Sequence, residues 1–124
     1  MAQAGKSLNG VRILVVEDNF LAAEVVRDLL ESGGCSVVGP VGRIADALRL
    51  AEHEALDGAI LDVNLNGERC FPIALALRQR GVPFVFTTGY DALVIPDAHA
   101  GAPRCEKPVD KALLARLLSK ARPW

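Results

Sequence analysis

The chain has 124 residues, of which 51% are hydrophobic and 23% are charged, and its formal net charge at pH 7 is −1. This length and composition predict a single folded domain over residues 1–124 and argue against an intrinsically disordered chain. The near-neutral charge argues against a protein that binds nucleic acid through bulk electrostatics. The apolar runs fall short of the ~20 residues that span a membrane, and residues 1–10 do not resemble a signal peptide. We therefore expect a cytoplasmic protein with no nucleic-acid or membrane partner.

The cysteine and histidine residues lack the spacing of a metal site or a disulfide framework. Cys35, Cys70 and Cys105 are an odd number of thiols without a C-x-x-C pair, which predicts reduced thiols with a structural role. His53 and His99 stand alone, with no other ligand type at metal-binding spacing.

The first half of the chain alternates between strand and helix patterns. Residues 11–16 form a continuous, β-branched apolar run, which is typical of a strand buried on both faces of a parallel sheet. Residues 20–32 have apolar side chains at helical spacing, and the glycines at 33–34 end that helix. A short strand over 35–39 and a helix over 43–54 follow.

The alternation continues in the second half. A third strand over 59–61 ends at Asp62, and a fourth covers 83–87. Between them the spacing predicts a helix over about 68–80, in which Pro72 fits only the first turn. A fifth strand is expected near 103–106.

The last third of the chain is less regular before it ends in a clear helix. Prolines and glycines leave little room for a helix over 91–102, and we expect that segment to be irregular or mobile. Asp110 is a good N-cap for a final helix. Strands that alternate with helices in this way indicate a parallel sheet with helices on both faces.

Polar side chains follow four of the predicted strands, at the point where each strand ends. In open α/β sheets, ligands bind beyond the carboxyl ends of the strands. The residues at these ends are Glu17, Asp18, Asp62, Thr87, Thr88 and Lys107. Taken singly, they also fit ordinary roles at a helix terminus, in a turn or on the surface. Together they predict one site with three carboxylates, a hydroxyl and an ammonium group.

These motifs resemble the receiver domain of two-component response regulators. The resemblance is carried by V-V-E-D-N at 15–19, L-D-V-N-L-N-G at 61–67, T-T-G at 87–89 and K-P at 107–108, and it covers about residues 10–121. It implies a flavodoxin-like, three-layer α/β/α sandwich with a five-stranded parallel sheet in the order 2-1-3-4-5.

The resemblance also implies a role for each residue of the site. Asp62 matches the phosphoacceptor aspartate, and Lys107 matches the lysine that contacts the phosphoryl group. Glu17 and Asp18 match the acidic pair that holds Mg²⁺ together with Asp62, and Asn64 matches the residue that offers a backbone carbonyl. Hard oxygen ligands suit Mg²⁺, and phosphoryl transfer depends mainly on positioning and on neutralising charge.

The function implied is that of a signalling phosphoacceptor rather than a turnover enzyme. A phosphohistidine on a histidine kinase or a histidine phosphotransfer protein would donate to Asp62, forming an aspartyl phosphate. Three outputs stay open: a phosphate sink, a diffusible regulator that docks a protein target, or the input module of a longer regulator. We expect a monomer or a weak homodimer, either as a stand-alone receiver or as one excised from a longer chain.

The switch region departs from most receivers. Thr88 matches the switch hydroxyl, but Arg104 stands three residues before Lys107, where most receivers have an aromatic residue. Tyr90 is a candidate replacement, with simple loop packing as the alternative. P-F-V-F-T-T-G-Y at 83–90 resembles a receiver subgroup with a Pro-Phe-x-Phe-Ala-Thr-Gly signature and a short or irregular fourth helix.

Three alternative functions stay open at this point. A phosphatase with an aspartate nucleophile needs an acid/base aspartate two residues later, where this chain has Asn64. A flavin or nucleotide carrier needs a glycine-rich or hydroxyl-rich phosphate loop, whereas the E-D-N-F loop at 17–20 is acidic. A degenerate receiver that serves only as an interaction module is supported by Arg104 alone.

Overall fold

A computed structural model of the protein describes residues 9–89 and 102–107. Within them, strands and helices alternate as the sequence predicts. The strands are β1 (Arg12–Val16), β2 (Ser36–Val41), β3 (Gly58–Asp62), β4 (Asn64–Leu65), β5 (Glu68–Arg69), β6 (Phe84–Thr88) and β7 (Arg104–Glu106). The helices are α1 (Phe20–Ser32), α2 (Ile44–His53) and α3 (Phe71–Gln79).

Five strands form one sheet in the order β2-β1-β3-β6-β7, and all of its neighbouring pairs are parallel. This confirms the predicted 2-1-3-4-5 order of the main strands, because β4 and β5 pair only with each other. In the register of the sheet, Val16 lies beside Leu61, and Asp62 lies beside Thr87. The carboxyl ends of β1, β3 and β6 therefore meet along one edge.

The core lies on both faces of the sheet, because successive side chains of a strand point to opposite sides. On one face, Ile13 and Ile60 pack with Val26 and Leu30 of α1. On the other, Leu14, Leu61 and Phe86 pack with residues of α2 and α3. Every residue of β3 and β6 is buried. These two apolar clusters confirm the three-layer sandwich.

The segment after Asp62 differs from the prediction. The predicted helix over about 68–80 begins only at Phe71, and residues 64–69 form the antiparallel β4–β5 hairpin. Its two-residue turn needs positive φ at both central positions, and Asn66 (φ 52) and Gly67 (φ 88) supply it. Pro72 lies in the first turn of α3, as predicted, where its missing N–H costs no helical hydrogen bond.

The second strand also differs slightly from its predicted range of 35–39, because it extends from Ser36 to Val41. It is an edge strand, so it is only half-buried and lacks the continuous apolar pattern that marks β1 and β3. The pairing of β2 with β1 is irregular between Leu14 and Val16, and Pro40 lies in the part of β2 opposite this irregularity. An edge position or an irregularity is where a strand tolerates proline.

Several predictions lie outside the described residues. They concern Tyr90, the expectation of an irregular segment over 91–102 (of which only Ala102 is described), and the helix expected after Asp110. In the described part of the chain, Cys35 and Cys70 are both buried in the core, which fits the structural role expected of them. None of the helices described is long and apolar enough to cross a lipid bilayer.

Candidate functional site

Three carboxylates come together at the carboxyl edge of the sheet. Glu17 and Asp18 directly follow β1, and Asp62 is the last residue of β3. One carboxylate oxygen from each of the three lies within 4.8 Å of the others. Glu17 and Asp62 are only 6% and 5% exposed, and Asp18 is half-buried. The structure thus brings together the three acids that the sequence predicts, and we call them the acidic cluster.

Lys107 places its ammonium group between two of these acids. Its Nζ lies 2.9 Å from Glu17 Oε1 and 2.9 Å from Asp62 Oδ2. The position is fixed by the sheet, because the backbone N–H of Lys107 donates to the carbonyl of Thr88 just beyond β7. Burial lowers the pKa of Lys107, but the hydrogen bonds to Asp62 and Glu17 outweigh it, and its pKa is raised. The lysine therefore stays charged.

The crowding of acids changes the protonation of Glu17. Its pKa is raised from 4.5 to about 7, first because burial disfavours the charged form and then because it shares a hydrogen bond with Asp62. The contact with Lys107 lowers the pKa only in part. In the absence of a further cation, the cluster therefore holds a proton near neutral pH. A bound cation would replace that proton.

Backbone N–H groups hold the carboxylates in place. Asn19 N–H donates to Glu17 Oε2 at 3.2 Å, and Asn64 N–H donates to Asp62 Oδ1 at 3.1 Å. The Asn19 side chain also caps α1 by accepting from the N–H of Ala22 at 2.9 Å. Asp18 is held from elsewhere in the chain, since its Oδ2 accepts from Asn66 N–H at 2.7 Å.

Asn66 and Gly42 contact the site although the sequence did not single them out for it. The Asn66-Gly67 dipeptide is a known signal for a tight hairpin, but nothing local shows that the hairpin reaches Asp18. Gly42, in the loop after β2, lies so close that a Cβ there would be 3.0 Å from Asp18 Cα. That close approach is a tertiary property with no sequence signal.

Thr88 ends β6 beside the acidic cluster, and it is 1% exposed. Among the residues that the structure describes, its hydroxyl has no hydrogen-bond partner. A buried hydroxyl without a partner is costly in a native protein. The other switch candidate that the structure describes, Arg104, is an exposed residue of β7 that lies beside Phe86 in the register.

The donor set at this edge suits a hard divalent cation. The acidic cluster offers carboxylate oxygens within 4.8 Å of one another, which is the ligand type that Mg²⁺ prefers. Cys70 is buried at the start of α3, and burial together with the charge of Asp62 raises its pKa to about 12. Its thiol therefore stays protonated in the metal-free protein.

Comparison with known proteins gives one family. The model of the response regulator receiver domain matches residues 13–119. The solution structure of SdrG from Sphingomonas melonis Fr1 is similar with a TM-score of 0.80 and 39% identity, over 89% of this chain and 94% of SdrG. The receiver domain of the sensor histidine kinase PA1611 from Pseudomonas aeruginosa PAO1 has a TM-score of 0.78 and 28% identity, over 90% and 97%. That receiver carries a magnesium ion coordinated in its active site cleft.

A curated relative is similar over a small part of its own length. The sensor protein TorS of Escherichia coli K12 is 29% identical over 119 residues. The match covers 90% of this chain but only 13% of TorS.

Proposed function

The chain belongs to the response regulator receiver domains of two-component systems, and on that premise we propose that Asp62 accepts a phosphoryl group from a phosphohistidine. The donor would be a histidine kinase or a histidine phosphotransfer protein. The observation that carries the proposal is the setting of Asp62. It is a buried carboxylate at the carboxyl end of β3, inside the acidic cluster and 2.9 Å from the Lys107 ammonium group.

The proposed step forms one bond and breaks one. A carboxylate oxygen of Asp62 attacks the phosphorus of the phosphohistidine, and the phosphorus–nitrogen bond breaks. The electron pair of that bond stays on the imidazole nitrogen. The product on this chain is an aspartyl phosphate, which water later hydrolyses. Each chain carries one phosphoryl group at a time, so we propose a phosphoacceptor rather than a turnover enzyme.

The residues present fit Mg²⁺ as the cofactor of this step. Glu17, Asp18 and Asp62 would hold it through carboxylate oxygens, and Asn64 through its backbone carbonyl. When bound, Mg²⁺ supplies positive charge that offsets the phosphoryl oxygens. Lys107 supplies a further positive charge from a fixed position, because its backbone hydrogen bond to Thr88 and its two ion pairs hold it there.

Thr88 is the residue that we expect to respond to the phosphoryl group. Its hydroxyl is buried and unpartnered among the described residues, so it is ready to donate to a phosphoryl oxygen. That bond would favour one of two states of the loop after β6. Tyr90, two residues after Thr88 in the sequence, and Arg104 of β7 are the candidates to pass the change to a protein partner. Without such a partner, the same chemistry serves as a phosphate sink.

We expect the protein to act in the cytoplasm as a monomer or weak homodimer.

The test uses a small donor with the same phosphorus–nitrogen bond as phosphohistidine. Phosphoramidate and Mg²⁺ are added to the wild type, to Asp62→Asn and to a control, Asp28→Asn, which changes an exposed acid of α1. Intact-mass measurement should show one added phosphoryl group on the wild type and on the control, and none on Asp62→Asn. An equal amount of phosphoryl group on Asp62→Asn would show that the acceptor lies elsewhere.

A second measurement asks whether the site responds as a switch. Amide NMR spectra with Mg²⁺ are recorded before and after beryllofluoride, a mimic of the bound phosphoryl group. We expect shifts at Asp18, Asp62, Thr88 and Lys107 that spread into residues 89–106. An unchanged spectrum would favour a protein that serves only as an interaction module.

A further inference from the structure

The β4–β5 hairpin (residues 64–69) joins the phosphoacceptor strand to α3 and is well defined. Asn64 pairs with Arg69, and Leu65 pairs with Glu68. The turn between them is closed by positive φ at Asn66 and Gly67. Positive φ at both central residues is the two-residue turn that matches the twist of paired strands. Residues 64–69 therefore form a regular β-hairpin rather than an irregular loop.

Internal contacts brace this hairpin against the rest of the fold. Asn64 Oδ1 accepts from the N–H of Gly67 at 2.8 Å, across the turn. Leu65 is buried in the core cluster that also contains Leu61 and Phe86. At its base, Asn64 N–H donates to Asp62 Oδ1 at 3.1 Å. The tip of the turn thus has a fixed position relative to β3.

From that position, the hairpin reaches the other side of the acidic cluster. Asn66 N–H donates to Asp18 Oδ2 at 2.7 Å, across 48 residues of sequence. Two sets of contacts thus hold the acidic cluster. The Lys107 ammonium group pairs with Glu17 and Asp62, and the hairpin donates a hydrogen bond to Asp18.

We propose that the β4–β5 hairpin is a positioning element, which presets the Asp18 carboxylate for the divalent cation through the backbone N–H of Asn66. The inference rests on the proposed function, since it concerns the cation of that site. Asn66 and Gly67 are positioning residues here and contribute no side-chain ligand to the cluster.

The physical reason is the mutual repulsion of the three acids. Like charges this close together repel one another, and more strongly in a partly buried site than in water. Asp18 is half-buried, so rotation of its side chain into solvent relieves this repulsion. A hydrogen bond from a rigid N–H opposes that rotation. The cation then meets three carboxylates already together, and it binds more tightly because less ordering accompanies binding.

Two glycines allow a matched test of this role. Gly67 (φ 88) and Gly81 (φ 73) both have positive φ, and a Cβ on either would meet no atom within 4 Å. Alanine at either position therefore introduces the same kind of backbone strain without a steric clash. Gly67 is in the hairpin, whereas Gly81 follows α3 on the way to the amino end of β6, at the opposite edge of the sheet.

The experiment compares Mg²⁺ binding by calorimetry in the wild type, Gly67→Ala and Gly81→Ala, together with hydrogen exchange of the Asn66 amide in the metal-free proteins. We expect Gly67→Ala to weaken Mg²⁺ binding by about tenfold, as is usual when the support of a ligand is lost, and to speed exchange at Asn66. Gly81→Ala should leave both unchanged. Asn66→Gly, which keeps the N–H and tolerates positive φ, should bind Mg²⁺ as the wild type does.

Every other outcome overturns the inference. Equal Mg²⁺ binding by the wild type and Gly67→Ala would show that the hairpin does not preset Asp18. Equal weakening in both alanine variants would indicate general destabilisation. Tighter binding by Gly67→Ala would show that the Asn66 N–H competes with the cation. A wild type that fails to bind Mg²⁺ at all would instead defeat the proposed function, and the positioning role with it.

Discussion

The amino and carboxyl edges of the central sheet differ in how their charged groups are paired. At the amino edge, Arg80 lies beside the end of α2, where the last helical carbonyls lack partners within the helix. Its Nη1 donates to the carbonyls of Ala51 at 2.6 Å and Glu54 at 2.8 Å. A cation thus lies against the negative end of the helix dipole.

Arg12 continues this pattern at the same edge. Its Nε donates to the carbonyl of Ala55 at 2.6 Å, and its Nη2 pairs with Glu54 Oε1 at 2.8 Å. Its backbone N–H donates to Asp57 Oδ2 at 2.9 Å. The side-chain charges of Arg12 and Glu54 at this edge therefore meet a partner of opposite sign.

The carboxyl edge differs, because it gathers three acids around the ammonium group of Lys107, which pairs with only two of them. Glu17, Asp18 and Asp62 bring like charges together, and the hydroxyl of Thr88 is buried without a partner among the described residues. Such an arrangement is expected where a ligand completes the site, and it costs stability until the ligand binds. Substitutions at the amino edge should therefore lower stability and spare function. Substitutions at the carboxyl edge should do the opposite.

The largest effect that we expect is a pH dependence of stability caused by Glu17. Its pKa in the folded protein, about 7, lies above the 4.5 of the unfolded chain. The folded state then binds more protons between these values, so this contribution to stability is complete below pH 4.5 and is lost as pH rises through 7. The expected loss for the metal-free protein is about 3 kcal/mol, since one pKa unit corresponds to about 1.4 kcal/mol.

Urea unfolding from pH 4.5 to 8 in the presence of a chelator measures this loss. Other groups titrate as well, so the informative quantity is the difference between the wild type and Glu17→Gln. The free energy of unfolding of the wild type minus that of Glu17→Gln should fall as the pH rises from 4.5 to 8. If it rises instead, Glu17 is charged in the folded protein and the comparison of the two edges fails.

The next effect is at the amino edge. Arg80→Ala removes the partner of two carbonyls at the end of α2, and it should lower the free energy of unfolding by roughly 1–2 kcal/mol. Phosphoryl uptake from phosphoramidate should not change. Arg49→Ala is the control, because Arg49 is an exposed residue of α2 that lies 3.7 Å from Asp46. A loss of phosphoryl uptake in the folded Arg80→Ala protein would break the separation of roles between the edges.

The smallest effect is at Thr88. Thr88→Val replaces a buried hydroxyl, which has no hydrogen-bond partner within residues 9–89 and 102–107, with a methyl group of similar shape. It should raise the free energy of unfolding by about 1 kcal/mol, because the desolvation cost of the hydroxyl disappears. The same variant should still accept the phosphoryl group on Asp62 but lose the amide shifts in residues 89–106. A loss of stability would show that the hydroxyl already has a partner in solution.

Much of the fold and the site was predictable because both depend on local patterns. A strand buried on both faces shows as an unbroken apolar run, so 11–16 and 83–87 were found within one residue of β1 and β6. A site at the carboxyl ends of parallel strands needs only the strands and the residues that follow them. Glu17, Asp18, Asp62 and Lys107 were found in this way, and their geometry agrees.

The parts that were missed depend on contacts far apart in the chain. The sequence predicts a loop and the start of a helix over residues 64–69 and misses the hairpin, because two-residue strands have no detectable periodicity. The bond from Asn66 to Asp18 spans 48 residues, and the closeness of Gly42 to Asp18 depends on how β2 packs. The lack of a partner for the Thr88 hydroxyl, within the part of the chain that the structure describes, is likewise a property of the folded protein.

The two buried thiols have a spectroscopic consequence. Cys35 lies in the apolar cluster on the α1 side of the sheet, and Cys70 lies in the cluster on the other side. The infrared stretch of an S–H bond absorbs where protein spectra are otherwise empty, so each layer of the core carries its own vibrational probe. Cys70 also senses the charge of Asp62. In a Cys105→Ala background, its band should therefore shift when Asp62 is phosphorylated, while the band of Cys35 stays in place as an internal reference.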